Sequence, residues 1–210
     1  MKKAKLMFLE KALLPKPVKK KKKLKKMKNK IILASSSPRR KELFDKYGID
    51  YTVDFVETEE VLDESLTLFK RLENIALQKA KPLQIKYPNN IIISADTMVT
   101  FQDEMLGKPK DREDAKRMLN MLSNNKQVVI TAVCVIKDQQ ITTFTDATTV
   151  TFKELSNQEI EDYLDTNEWQ GKAGAYAIQG IASKFVEKID GNLENVIGMP
   201  MYKVIKYLEA

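Results

Sequence analysis

The sequence predicts an α/β domain, on three observations. Strand-like and helix-like segments alternate along the chain, the runs Ile31-Ile32-Leu33 and Ile91-Ile92-Ile93 read as short buried strands, and helix start signals stand between the apolar segments. In chain order, Ile31 to Leu33 is the first strand and Pro38 to about Tyr47 a helix with Leu43, Phe44 and Tyr47 on one face. Tyr51 to Phe55 reads as a strand, and residues from about Ser65 to Ile85 as a helix that repeats Leu68, Leu72, Ile75 and Ala76 at helical spacing. After the Ile91 to Ile93 strand, Asp111 opens a helix with Ala115, Met118, Leu119 and Leu122 on its apolar face. Val128 to Ile136 and Thr142 to Phe152 are β-branched runs separated by the polar Lys137-Asp138-Gln139-Gln140, the pattern of a hairpin. Ser156-Asn157-Gln158-Glu159 is a capping box that starts a helix through about Asp165, and Met201 to Leu208 closes the chain as a helix. No internal repeat is present.

A chain of 210 residues that is 43% hydrophobic suits one domain plus an appendage. The appendage is residues 1 to 30, with 14 Lys and one Glu, and the domain is residues 31 to 210. The net charge of +7 therefore belongs to the tail, because the rest of the chain has 22 basic against 28 acidic residues. The block from Lys19 to Lys23, continued by Lys25, Lys26, Lys28 and Lys30, repels itself and is read as disordered. Like-charge blocks attract RNA, DNA or anionic lipid without sequence specificity, so the expectation is a solvated tail and no specific nucleic-acid partner. Met27 is an alternative start.

No apolar run reaches the roughly 18 residues of a membrane span, and no signal peptide is evident, so a cytoplasmic location is expected. The single Cys134 lies in an apolar run and reads as a small buried hydrophobe, in keeping with a reducing compartment. Histidine is absent, which excludes Ser-His triads, His-bound zinc and imidazole bases. Carboxylates, Lys, Arg and a metal held by oxygen ligands remain.

Four segments carry chemistry. Ser35-Ser36-Ser37-Pro38-Arg39-Arg40 lies between a strand and a helix, where Ser37 suits the N-cap and Pro38 the first helical position. Backbone N–H groups and the positive end of the helix dipole then face a ligand. Two arginines at that same end are unfavourable unless an anion compensates them, although a plain capped helix with solvated arginines would show the same residues. Ser94-Ala95-Asp96-Thr97 places a carboxylate where a buried strand emerges, suited to Mg²⁺ or to orienting water; a simple turn is the alternative. Leu106-Gly107-Lys108-Pro109 fixes a loop bearing one Lys. Lys172 to Gly180 is a glycine-punctuated loop with Tyr176, able to stack on a base, and Gln179, able to read a base edge; a flexible surface loop has the same composition.

Together these segments resemble the Maf family of nucleotide pyrophosphatases. The resemblance covers residues 31 to 208 and rests on Ala34 to Arg40, Ala76-Leu77-Gln78-Lys79-Ala80, Ala95-Asp96-Thr97, Leu106 to Pro109, the Lys172 to Gly180 loop and Asn195-Val196-Ile197-Gly198-Met199-Pro200. Ala177 stands where the family usually has Gly. The resemblance implies a mixed, twisted sheet flanked by helices, with the site in a cleft between two lobes, similar to inosine triphosphate pyrophosphatase. It implies that Ser35, Arg39, Arg40, Lys79 and Lys108 bind the triphosphate and that Gln179 contacts the base side. Glu59 and Asp96 match the acidic pair linked to metal and water, and both are assigned to catalysis; Glu57 and Glu60 flank Glu59 as rival carboxylates. The implied cofactor is Mg²⁺ or Mn²⁺, and homodimers are common among relatives. The loop from Lys172 to Gly180 resembles the subgroup that prefers dTTP and UTP. The expected activity is hydrolysis of nucleoside triphosphates to the monophosphate and pyrophosphate, in house-cleaning of the nucleotide pool. Two alternatives stand beside it: a nucleotide-binding regulator of septum formation, and a pyrophosphatase for a modified nucleotide such as 7-methyl-GTP.

Overall fold

A computed structural model describes residues 29–57, 61, 63–102 and 104–209. The Lys-rich tail as far as Lys28, Met27 and Glu59 lie outside the described residues. Among the described residues there is one seven-stranded mixed sheet with six α-helices. The strands are β1 (Ile31–Ala34), β2 (Tyr51–Val53), β3 (Ile91–Phe101), β4 (Glu104–Leu106), β5 (Lys126–Lys137), β6 (Gln140–Phe152) and β7 (Val186–Asp190). The helices are α1 (Pro38–Lys46), α2 (Leu68–Lys86), α3 (Arg112–Leu122), α4 (Asn157–Leu164), α5 (Leu193–Ile197) and α6 (Met201–Glu209). The sheet runs β2-β1-β3-β5-β6-β7, with β4 paired to β3. The β2-β1-β3 edge is parallel and the remainder antiparallel.

Period-two alternation sends successive side chains of each strand to opposite faces. Ile31, Leu33, Ile91 and Ile93 join a core with Leu43 and Phe44 of α1, Leu119 of α3, Tyr163 of α4 and Val204 of α6. Ile32, Ala34, Ile92 and Cys134 face the other way, onto Leu72, Ile75, Ala76, Ala80 and Leu83 of α2. Cys134 is fully buried, and burial pushes its thiol up to about 12, so it behaves as the small hydrophobe its sequence context implies. The capping box is present, with the Ser156 hydroxyl accepting from the Glu159 N–H and the Glu159 carboxylate from the Ser156 N–H. Asp111 likewise caps α3 by accepting from the Asp114 N–H. The β5–β6 hairpin turns at Asp138 and Gln139, both at positive φ, as two-residue hairpin loops require. Among the described residues, no helix is long and apolar enough to cross a membrane.

Two local expectations need correction. Pro38 does open α1, but Ser37 makes no side-chain cap; the Ser35 hydroxyl accepts the Ser37 N–H instead, at 3.2 Å. The strand expected over Ile91 to Ile93 does not end before Asp96. It continues to Phe101, because Ile92 to Thr100 pair antiparallel with β5 while the parallel pairing with β1 stops at Ala34 and Ser94. Asp96 is therefore mid-strand, at the point where the neighbouring strand on one side has ended.

Candidate functional site

That early end of β1 opens a cleft of about 680 Å³. Its walls come from the β1–α1 turn, the middle of β3, Lys79 of α2, Lys108, the stretch from Gly171 to Ile178, and Val196 and Ile197 of α5. Of the residues singled out from the sequence, Ser35, Arg39, Arg40, Lys79, Asp96 and Lys108 line this one cleft. They lie up to 73 positions apart in sequence, so the sheet and not local structure brings them together.

The turn from Ser35 into α1 aims the helix N-terminus at the cleft, and the other end of α1 is anchored. There the Lys46 ammonium and the Tyr47 hydroxyl both donate to Glu194 of α5, at 2.7 and 2.9 Å. Burial, together with the Glu194 carboxylate, raises the Tyr47 phenol to about 12, which keeps it a donor. On α2, Lys79 donates to Asp96 Oδ1 at 2.5 Å, an ion pair of which both side chains are largely buried. One residue earlier, the Gln78 amide bonds the backbone N–H and C=O of Val61, which tethers the far side of the acidic stretch to α2. Glu57, on the near side of that stretch, lines the cleft.

The two arginines differ. The Arg40 guanidinium donates from Nε to the Gly198 carbonyl at 2.9 Å, from Nη1 to Ser35 Oγ at 3.1 Å and from Nη2 to Thr97 Oγ1 at 3.1 Å. It thus braces β1, β3 and α5 against one another. Arg39 makes no hydrogen bond or ion pair among the described residues. Burial lowers its pKa from the ordinary value, offset in part by Tyr163, Glu42, Glu168 and Tyr176. A half-buried cation without a partner is costly, and an anion in the cleft would relieve that cost. Lys172, which the sequence reading placed only as part of a loop, also lines the cleft. Its ammonium is depressed by burial and by Arg39. The segment bearing Lys172 is joined to the one bearing Lys108 by the Gly174 N–H, which donates to the Gly107 carbonyl at 3.1 Å. Gly174 has a φ of +67°, and a Cβ there would lie 2.9 Å from a Val99 methyl, so this approach needs glycine.

The loop from Lys172 to Gly180 departs from its sequence reading in two places. Tyr176 reaches the cleft wall but is only 4% exposed, with its ring edge-on to Phe152 at 4.8 Å, so it offers no open face for a base to stack on. Gln179 is exposed and does not line the cleft; Ile178 turns inward, which sends the next residue outward. Sequence reasoning left Phe55, Val56, Lys172 and Thr97 out of the site, although all four line it. Thr97 carried a signal in standing next to Asp96, and Lys172 in opening the glycine-rich loop. Phe55 and Val56 follow a three-residue strand and carried none.

The chain is similar to known proteins along most of its length. A family model described as Maf-like protein matches residues 30–210. Relatives named dTTP/UTP pyrophosphatase are similar along most of their length. That of Acholeplasma laidlawii is 43% identical over 182 residues, covering 85% of this chain and 95% of the relative. That of Bacillus velezensis is 43% identical over 183 residues, covering 87% and 97%. That of Pyrococcus furiosus is 42% identical over 181 residues, covering 86% and 94%.

Proposed function

The chain belongs to the family of Maf-like proteins, and on that premise we propose that it hydrolyses nucleoside triphosphates, dTTP and UTP foremost, to the monophosphate and pyrophosphate. The observation that carries the reading is the pairing, in one cleft, of an anchored carboxylate, Asp96, with a half-buried Arg39 that makes no hydrogen bond or ion pair among the described residues. A triphosphate carries roughly four negative charges at neutral pH, and its oxygens are what Arg39, Lys108, Lys172 and the Ser35 hydroxyl are suited to hold. As pyrophosphate leaves, the same cations offset its growing charge. With no histidine in the chain, a carboxylate must orient or deprotonate the attacking water, and Asp96 is the one the Lys79 bridge holds in place. Arg40, bonded to Ser35 and Thr97, serves this site by keeping its two hydroxyls in place as well as through its charge.

A divalent cation fits the donor set. Among the described residues no group of three metal-ligating side chains occurs, but Asp96 and Glu57 present carboxylates to the same cleft. Mg²⁺ is commonly held by one or two carboxylates together with substrate phosphates and water. Asp96 and the acidic stretch that includes Glu57 and Glu59 would hold it, and when bound it would polarise the phosphoryl oxygens. A cytoplasmic location and a homodimer belong to the same proposal.

The test is release of pyrophosphate across a panel of nucleotides, 7-methyl-GTP included, with Mg²⁺, with Mn²⁺ and with a chelator. Cleavage of UTP and dTTP to pyrophosphate, abolished by chelation, is expected. Release of orthophosphate, or strict preference for the methylated purine, would overturn the reading.

A further inference from the structure

Two hydroxyls border the cleft, and their hydrogen bonds make them opposites. Ser35 Oγ accepts from the Ser37 N–H and from Arg40 Nη1. Both lone pairs are taken, so what it still offers is its hydrogen, suited to a phosphate oxygen. Thr97 is settled from behind the cleft. Thr131 of β5, fully buried, lies 2.8 Å from the Asn195 carbonyl and 3.0 Å from Thr97 Oγ1. A carbonyl has no hydrogen to give, and two bare oxygens at 2.8 Å in a dry interior repel, so the Thr131 hydrogen lies on the bond to Asn195. The Thr131–Thr97 contact must then take its hydrogen from Thr97. Arg40 Nη2 fills one Thr97 lone pair at 3.1 Å. What remains for the cleft is a single acceptor lone pair.

The origin of this direction is rigid. Asn195 is fully buried; its amide nitrogen donates to the Val129 carbonyl and to Thr148 Oγ1, and its amide oxygen accepts the Thr131 N–H. Asn192 caps α5 by accepting from the Glu194 and Asn195 N–H groups. The carbonyl that sets the sequence of donors is thus held on both sides.

We infer that Thr131 is a positioning residue for substrate choice: anchored by the Asn195 carbonyl, it takes the Thr97 hydrogen and leaves Thr97 to accept a hydrogen bond from the imide N–H of a uracil or thymine ring. An acceptor has nothing to offer the oxygens of the ionised triphosphate, which carry no hydrogen, and the Thr97 lone pair is therefore assigned to the nucleoside. Uracil and thymine carry a hydrogen on N3, whereas cytosine has a bare acceptor there. The inference rests on the proposed pyrophosphatase function and adds to it Thr131, the residue that sets which way the Thr97 hydroxyl points.

The experiment measures kcat/KM for UTP, CTP, N3-methyl-UTP and 3′-deoxy-UTP with wild-type protein, Thr131→Val and Thr131→Ser. Valine keeps the β-branched shape but frees the Thr97 hydroxyl to turn its hydrogen into the cleft, whereas serine keeps the relay. The wild type should favour UTP over CTP and over N3-methyl-UTP by about tenfold or more, the scale of one buried hydrogen bond, and accept 3′-deoxy-UTP. Thr131→Val should shrink the UTP-to-CTP ratio by about tenfold and Thr131→Ser should restore it. A ratio within one preparation does not depend on the fraction folded. The wild-type arms need no variant to fold: equal use of UTP and N3-methyl-UTP, or loss only with 3′-deoxy-UTP, overturns the inference. So does an unchanged ratio in Thr131→Val. A wild type that hydrolyses none of these nucleotides overturns the proposed function itself, a result separate from the others.

Discussion

Arg39 and Arg40 are adjacent on one helix, yet their surroundings ask different things of them. Arg40 holds three parts of the fold together, so Arg40→Ala should lower both activity and stability, the latter by about 1–3 kcal/mol, since Ser35, Thr97 and the Gly198 carbonyl each lose a partner. From sequence, both arginines look equally dispensable to the fold. Arg39→Ala removes a half-buried cation without a partner among the described residues, and should leave the melting temperature unchanged or raised while kcat/KM falls. Thermal melts beside steady-state kinetics separate the two; equal destabilisation would refute the distinction. Asp96→Asn is nearly isosteric but can neither serve as a base nor offer a metal full charge. It should fold, still bind nucleotide through Arg39 and Lys108, and lose about 10²-fold or more in kcat. Retention of more than about a third of kcat would pass the role to the acidic stretch that contains Glu59.

At the scale of elements, α5 is short but decides the shape of the site. It ends at Gly198, whose φ is +116°, and a Cβ there would lie 3.2 Å from Thr97 Oγ1 and 3.4 Å from Arg40 Nε. Gly198→Ala should therefore cost about 1–3 kcal/mol and weaken catalysis together, because the strained residue presses on the residues that border the cleft. Wild-type kinetics in a stably folded Gly198→Ala protein would show that the cleft tolerates that shift. The start of α4 supplies a prediction about pH. Hydrogen bonding from Lys153 and from Ser156 lowers the Glu159 carboxyl from its ordinary 4.5 to about 2. A depressed carboxyl contributes stability above its unfolded value and loses it as pH falls through the folded one. Glu159→Gln should lower the melting temperature at neutral pH and flatten its fall between pH 4.5 and 2; an unaltered acid limb would mean that the capping box contributes little.

For the whole molecule, the excess positive charge lies in residues 1 to 30, and among the described residues every one that lines the cleft lies at or after Ala34. Deletion of residues 1 to 26 should leave kcat/KM for UTP within about twofold at moderate salt, since screening confines long-range charge to roughly 10 Å at 0.1 M. A large loss in a folded truncation would assign the tail to the reaction. The tail and the acidic stretch carry opposite charge, so any effect it does have should fade as salt rises.

The sequence by itself determined the α/β class, most helices and the hairpin, because apolar periodicity and capping chemistry act between residues a few positions apart. It also marked Ser35, Arg39 and Arg40, since a strand-to-helix turn with Ser, Pro and Arg declares an anion site locally, and Asp96 and Lys108 at two other turns or strand ends, whereas Lys79 entered only through resemblance to a family. Only the tertiary structure decided that β3 runs through Asp96, that Tyr176 belongs to the core and that Arg40 is a brace. Only there, too, does Thr131 meet both Thr97 and Asn195. Those outcomes depend on which strands pair and where one stops, and on hydrogen bonds between residues 34 to 158 positions apart. No local preference encodes contacts of that range, because their energy appears only once the sheet has brought both partners out of water.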